Sequence, residues 1–122
     1  ERAARYNQLF EPLAGLVQTP YEPSWSRAVY HLYVVRVPER DELIRHLSER
    51  QIGSGIHYPV PLHLQQAYAP LGYRRGDFPV SETVCAQVVS LPLYPQIRMD
   101  QQQTVAREVA RLVTAKASTA RP

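Results

Sequence analysis

Prolines constrain the fold of this chain more than any other feature of its sequence. The 122 residues include 11 prolines, and each one fixes its own φ angle and lacks the N–H group that a helix interior or a central strand would use. Pro20 and Pro23 interrupt the first third of the chain, and Pro59 and Pro61 interrupt its middle. The chain is therefore expected to form short helices and strands that end at prolines.

Apolar spacing predicts three elements in the first half of the chain. Residues 2–15 carry apolar side chains at three- and four-residue intervals, which is typical of an amphipathic helix. The β-branched and aromatic run at 29–37 predicts a strand that is covered on both faces and stops at Pro38. Residues 41–51 favour a short helix with a left-handed exit at Gly53.

The middle of the chain is rich in glycine, proline and aromatic residues. Residues 53–58 favour a short strand that is entered through glycines and broken at Pro59. Residues 59–77 predict a long ordered loop with one turn of helix at 64–68. Ordered loops of this length often carry function, so this segment is the first place to look for a site.

The last third of the chain returns to regular structure. A helix is expected from Pro79 to about Val89, with Cys85 on its buried face together with Val84 and Val88. Residues 90–93 favour an edge strand between two prolines. A last helix is expected to begin at a capping box formed by Asp100 and Gln103. Its apolar stripe consists of Val105, Val109, Leu112 and Val113.

Helices and strands alternate along the chain, but the connections between them are too varied for a regularly wound parallel sheet. This indicates an α/β fold with a small mixed or antiparallel sheet and flanking helices. The chain has no initiator Met and no capping residue ahead of its first helix. We therefore expect it to begin inside a helix, as the C-terminal part of a longer protein. Residues 117–122 are expected to be a frayed tail.

Composition excludes several classes of protein. With 44% apolar and 20% charged residues, the chain is expected to be one globular domain rather than a disordered segment. No apolar run approaches the roughly 20 residues of a membrane span, so no membrane partner is expected. The single cysteine, Cys85, excludes an internal disulfide and favours the cytoplasm.

The basic and histidine residues do not predict nucleic-acid or metal binding. The thirteen arginines are scattered among acids, and the net charge is only +3, whereas a nucleic-acid surface would show a basic stripe. The four histidines, His31, His46, His57 and His63, follow no zinc-binding spacing. We therefore expect neither partner.

One segment, residues 56–65, concentrates polar chemistry on a loop that two prolines stiffen. His57, Tyr58, His63 and Gln65 could hold sugar hydroxyls or phosphate oxygens at a low cost in conformational entropy. Alternatively, His57 and Tyr58 pack at a sheet edge while His63 and Gln65 bond to loop carbonyls. In a strand, adjacent residues point to opposite faces, so one of His57 and Tyr58 would point away from a ligand.

Several strings in this order and spacing resemble the C-terminal region of the DegT/DnrJ/EryC1/StrS family. They are HLYVVR at 31–36, GSGIHYPVPLHLQQAY at 53–68, LGY at 71–73, GDFPVSE at 76–82 and LPLYP at 91–95. The family comprises pyridoxal-phosphate-dependent aminotransferases that act on nucleotide-linked keto sugars. The resemblance implies a fold-type I enzyme whose small C-terminal domain is residues 21–116, preceded at 1–20 by the end of a long connecting helix.

The same resemblance implies which residues would touch substrate. His63 matches a family position that contacts the bound amino-sugar adduct and is the first candidate, followed by Tyr58 and His57, with His31 and Gln65 as weaker ones. It also implies glutamate as amino donor and a homodimer. Transamination needs a lysine that forms a Schiff base with the cofactor, and Lys116, the sole lysine, lies outside every family motif. The cofactor-binding large domain is expected to be absent from this chain.

Two hypotheses about function stay open at this point. The chain is either the substrate-covering small domain of a nucleotide-sugar aminotransferase or a free-standing, non-catalytic module that binds sugars or other proteins. In the first case, a domain separated from its larger neighbour should expose an apolar patch from its first helix and the base of its loop, and should self-associate.

Overall fold

A computed structural model describes residues 1–119 of the chain. Four α-helices and two β-strands are formed within this range. The helices are α1 (Arg2–Phe10), α2 (Arg40–Ser48), α3 (Pro79–Gln87) and α4 (Met99–Thr119), and the strands are β1 (Tyr33–Arg36) and β2 (Val88–Leu91). Short 3₁₀ turns occupy Glu11–Leu13, Leu62–Leu64 and Gln66–Leu71. None of the helices in residues 1–119 combines the length and the apolar character that a bilayer crossing requires.

The sheet is small and antiparallel, in agreement with the predicted α/β fold. β1 pairs with β2 from Tyr33 opposite Leu91 to Arg36 opposite Val88. Single bridges extend this pair on both sides, from Gln18 to Arg36 and from Gly55 to Ser90. Because Gly55 bonds to the side of β2 that β1 leaves open, β2 is not the edge strand that the sequence predicted.

The hydrophobic core lies between this sheet and the helices. α1 and α2 both pack against α4, and the apolar stripes predicted for α1 and α4 are confirmed as buried or half-buried. Tyr6 of α1 stacks on Tyr33 of β1 with 4.9 Å between ring centroids. The segment predicted as the end of a connecting helix therefore contributes to the same core as the rest of the chain. The α-helical part of this segment ends at Phe10 rather than near Gly15.

The strand predicted at 29–37 is shorter than its β-branched and aromatic residues suggested. Val29 is 96% exposed, and Tyr30 has a positive φ of 52°. Glu22 draws this segment into a loop, since its carboxylate accepts hydrogen bonds from the Ala28 N–H at 3.0 Å and the Tyr30 hydroxyl at 2.9 Å. Of the residues that do form β1, Tyr33 and Val35 are buried and the alternate face is only half-buried, so the prediction of two covered faces is also wrong.

The exit from α2 depends on Gln51 and not on Gly53. Gln51 has a φ of 59°, and the N–H of Ile52 donates to the Leu47 carbonyl at 3.0 Å. This bond closes the last turn of the helix in the way that a left-handed C-terminal cap does. The strand predicted at 53–58 is reduced to the single bridge at Gly55.

Helices α3 and α4 also differ from their predictions at particular residues. α3 contains no fully buried side chain, so Cys85 is half-buried rather than part of the core. At the start of α4, Gln101 accepts from the Arg98 N–H at 2.9 Å, whereas Asp100 bonds to the Arg98 guanidinium, so Asp100 and Gln103 do not form the expected capping box. α4 continues to Thr119, which contradicts a frayed tail at 117–119, and 120–122 lie outside the described residues.

Candidate functional site

His63 is the best-positioned of the predicted site residues. It lies in the 3₁₀ turn that follows Pro61, and its side chain is only 7% exposed. Its Nε2 lies 3.1 Å from Oε1 of Glu82 in the first turn of α3. The imidazole is therefore held by a carboxylate from a different segment of the chain.

An open cavity of about 340 Å³ lies beside this imidazole. The Phe78 ring lies 4.8 Å from the His63 ring and 5.1 Å from the Tyr73 ring, between centroids. Apolar and aromatic side chains form most of the wall, with Ser81 as a further polar group. The lining residues are Leu62, His63, Tyr68, Leu71, Tyr73, Phe78 and Ser81. A concave, mostly apolar surface with few polar groups is typical of a small-molecule site.

Glu82 connects the site to the turn before α3. Its Oε1 also accepts from the Gly76 N–H at 2.7 Å, and Gly76 has a positive φ of 98° that glycine adopts without a steric penalty. This backbone hydrogen bond and the His63 hydrogen bond lower the pKa of the Glu82 carboxyl, although desolvation opposes the shift. Glu82 is therefore an ionised acceptor at neutral pH.

His57 and Tyr58 are arranged differently from the strand prediction. His57 Nδ1 lies 2.8 Å from the hydroxyl oxygen of Ser90 in β2, and Tyr58 packs edge-on to the His57 ring at 5.5 Å. The two side chains are thus neighbours and do not point to opposite faces. Tyr58 is 70% exposed, and neither residue lines the cavity at His63.

The other two predicted residues lie apart from the His63 cavity. Gln65 donates from Nε2 to the Val60 carbonyl at 3.4 Å, which matches the alternative in which this residue bonds to a loop carbonyl. His31 lies before β1 and lines another open cavity, of about 910 Å³, together with Arg2, Arg27 and Tyr94. None of the other four predicted residues lines that second cavity.

Sequence reasoning missed Glu82, Phe78 and Tyr73 as parts of a site. Acids are common in the first turn of a helix for a structural reason, so Glu82 by itself does not indicate a site. Phe78 and Tyr73 stood in a loop whose contacts no periodicity specifies. The available signal was their clustering within twenty residues of His63, in strings that resemble the family.

The described residues place no lysine at the His63 cavity. Covalent attachment of pyridoxal phosphate needs a lysine amine in the site. Lys116 is the sole lysine of the chain; its Nζ forms an ion pair with Glu42 of α2, and it does not line the cavity at His63. The same described range contains no group of three or more His, Cys, Asp or Glu side chains placed to hold a metal ion.

Two solved structures are similar to this fold along most of its length. DesV from S. venezuelae, crystallised in complex with a ketimine intermediate, is 37% identical with a TM-score of 0.82, over 92% of this chain and 31% of that one. A DegT DnrJ EryC1 StrS aminotransferase from Brucella abortus is 30% identical with a TM-score of 0.77, over 91% of this chain and 30% of that one.

Curated relatives agree with the structural matches. The pleiotropic regulatory protein of Geobacillus stearothermophilus is 41% identical over 90% of this chain and 30% of its own length. The erythromycin biosynthesis sensory transduction protein EryC1 of Saccharopolyspora erythraea is 39% identical over 78% of this chain and 26% of its own length. The chain thus spans less than a third of these relatives. A family model matches residues 1–110, and the chain therefore belongs to the DegT/DnrJ/EryC1/StrS aminotransferase family.

Proposed function

We propose that this chain is the substrate-facing C-terminal part of a pyridoxal-phosphate-dependent aminotransferase that transfers an amino group from glutamate to a nucleotide-linked keto sugar. Residues 21–116 would be its small domain, and residues 1–20 the end of the helix that leads into it. The observation that carries the proposal is the buried His63 imidazole, fixed by Glu82 beside a cavity with aromatic walls. Family membership favours this function over a free-standing module.

The cavity offers two kinds of contact that suit a sugar. Aromatic and leucine side chains present apolar surface to the ring carbons, and the imidazole presents a nitrogen for a hydroxyl. A hydrogen-bonding histidine whose side chain is already ordered loses little conformational entropy when it binds a ligand. His63 therefore acts as a substrate contact rather than as the base that moves a proton. Tyr58, His57, Gln65 and His31 stay weaker candidates for the same role.

Pyridoxal phosphate would be held by polypeptide outside these 122 residues. When bound, the cofactor supplies the electron sink that transamination requires, and the lysine that carries it has no counterpart at the His63 cavity. The proposal therefore assigns substrate binding to this chain and bond chemistry to the remainder of the protein. The family resemblance also predicts a homodimer, and the lone cysteine favours a cytoplasmic location.

Kinetics of the full-length protein that contains this chain would test the proposal. We expect His63→Ala to raise the KM for a keto-sugar nucleotide about tenfold, the cost of one lost hydrogen bond to substrate. The half-reaction with glutamate should keep its wild-type rate, since the amino donor does not carry the sugar. Single-turnover absorbance measurements separate the two half-reactions.

The matched control is Gln66→Ala, an exposed neighbour that does not line the cavity. It should leave both half-reactions unchanged. An unchanged sugar KM in His63→Ala, or an equal loss in both half-reactions, would show that His63 does not contact the sugar.

A further inference from the structure

We propose that Glu82 is a positioning residue for His63, which it holds as the Nε2–H tautomer so that Nδ1 is left as a hydrogen-bond acceptor for a substrate hydroxyl. This inference rests on the proposed function and adds the direction of the hydrogen bond between His63 and the sugar. His63 would accept a hydrogen bond from the sugar rather than donate one.

The geometry of the pair supports a fixed orientation of the ring. His63 Nε2 and Glu82 Oε1 lie 3.1 Å apart, and their side chains are 7% and 15% exposed. Phe78 covers the imidazole at 4.8 Å between centroids. A ring that is bonded on one nitrogen and packed on one face has little freedom to flip.

The tautomer follows from the chemistry of the two groups. An ionised carboxylate can only accept hydrogen bonds, and the Gly76 N–H and His63 together keep the pKa of Glu82 below its ordinary value. The proton of this hydrogen bond must therefore reside on Nε2 of His63. In a neutral imidazole the second nitrogen then carries a lone pair and acts as an acceptor. Within residues 1–119, the hydrogen bond of the His63 ring is made by Nε2, and Nδ1 has no hydrogen-bond partner.

Glu82 also bonds to the turn that precedes Phe78, whose ring packs against His63. The oxygen that accepts from His63 accepts from the Gly76 N–H at 2.7 Å, and Gly76 precedes Phe78 by two residues. The Arg75 guanidinium lies 4.0 Å from the other carboxylate oxygen and is largely exposed. One carboxylate thus joins three segments of the chain, which are the His63 turn, the turn at 74–77 and the start of α3.

Nitrogen-15 NMR of the histidine side chains in the 122-residue chain would test the tautomer directly. At a pH where His63 is neutral, the wild-type ring should show one dominant form with its proton on Nε2. A wild-type ring that carries its proton on Nδ1 would overturn the proposal without any variant.

Substitutions at Glu82 would test the cause. Glu82→Ala removes the acceptor, and we expect the proton to distribute over both ring nitrogens. Glu82→Gln retains a carbonyl oxygen that can accept, so the Nε2–H form should stay dominant. The matched control is Asp77→Ala, which removes the hydrogen bond from the Arg74 N–H in the same turn and should keep the wild-type tautomer.

Three other outcomes would contradict the role of Glu82 in setting the tautomer of His63. A Glu82→Ala ring with the wild-type tautomer would show that the carboxylate does not set it. An equal change in Asp77→Ala would show that loosening of the turn is sufficient. A Glu82→Gln ring that matches Glu82→Ala would show that hydrogen-bond acceptance is not the means.

Kinetics of the full-length protein separate this inference from the proposed function. Glu82→Ala should raise the KM for the sugar nucleotide about twofold with an unchanged kcat, because about half of the rings then carry the proton on Nδ1. Glu82→Gln should restore most of that loss. If His63→Ala raises KM and Glu82→Ala does not, only the role of Glu82 is wrong. If neither variant changes KM, the proposed function fails, while the NMR result still decides whether Glu82 sets the tautomer.

Discussion

His63 and Tyr58 lie five residues apart on the same loop but differ in how ready they are to bind a ligand. The His63 side chain is nearly buried and bonded to Glu82, whereas Tyr58 is mostly exposed and contacts His57. Ordering an exposed side chain on binding costs conformational entropy that a fixed side chain has already lost. A ligand in the cavity therefore gains more from the imidazole than from the phenol.

Glu82 should make the stability of the fold depend on acid pH. Its folded pKa is lowered by the Gly76 N–H first and by His63 next. A carboxyl with a depressed pKa stabilises the fold above its unfolded value, near 4.5, and this contribution is lost as the pH falls through the folded pKa. In urea titrations between about pH 6 and about pH 3, Glu82→Gln should therefore lose less unfolding free energy than wild type.

The comparison for this prediction is Gln66→Ala, since Gln66 is exposed and carries no titratable group. The unfolding free energy of this variant should follow the wild-type curve over the same pH range. Parallel curves for wild type and Glu82→Gln would mean that Glu82 titrates alike in the folded and unfolded states.

Residue types in the sequence indicated His63 but not the partner that orients it. Histidines on a proline-stiffened loop attract attention because their chemistry is uncommon, whereas an acid in a first helical turn is ordinary. His63 and Glu82 are 19 positions apart in the sequence, and no local pattern specifies a contact of that kind. The candidate site was therefore predictable as a segment but not as a set of contacts.

At the scale of elements, periodicity predicted helices better than strands. The apolar stripes predicted for α1 and α4 are correct because a helix buries one face whatever its exact ends. The strand at 29–37 was too long because side-chain type alone cannot show that Glu22 binds Ala28 and Tyr30. The sequence predicts β2 as an edge strand because its second neighbour, Gly55, contributes a single bridge with no strand pattern around it.

The packing of α2 on α4 should contribute strongly to stability. Leu43 of α2 is fully buried in the core, and replacing a buried leucine with alanine removes apolar contacts and leaves a cavity. We expect Leu43→Ala to lower the unfolding free energy by about 2–5 kcal/mol. Urea unfolding followed by circular dichroism would measure the change.

An apolar residue on an exposed helix face serves as the control for Leu43. Val80 lies in the first turn of α3 and is largely exposed, so Val80→Ala should change the unfolding free energy by less than about 0.5 kcal/mol. Equal effects of the two substitutions would mean that α2 does not anchor the core.

For the whole molecule, exposed apolar side chains agree with the sequence prediction at the loop but not at the first helix. An apolar patch was expected from the first helix and the base of the loop, but the apolar face of α1 is buried through Tyr6 and Phe10. Exposed apolar groups do lie on the loop before α3, at Leu62 and Leu71, and further ones lie on the loop between α1 and β1, at Tyr21, Trp25 and Val29. The chain also spans less than a third of the length of its relatives.

Isolated as 122 residues, the chain should self-associate through this loop. Trp25 is 85% exposed, and burying such a large apolar side chain against a second copy removes it from water. Sedimentation velocity should show a mass that rises with concentration, and Trp25→Ser should shift this rise to higher concentration. Trp25 is the sole tryptophan of the chain, so its fluorescence should move to shorter wavelength as association buries it.

Ser24→Ala alters the same loop without removing apolar surface and should associate as the wild type does. A monomer at every concentration, with unchanged tryptophan emission, would show that exposure of this loop does not by itself drive association.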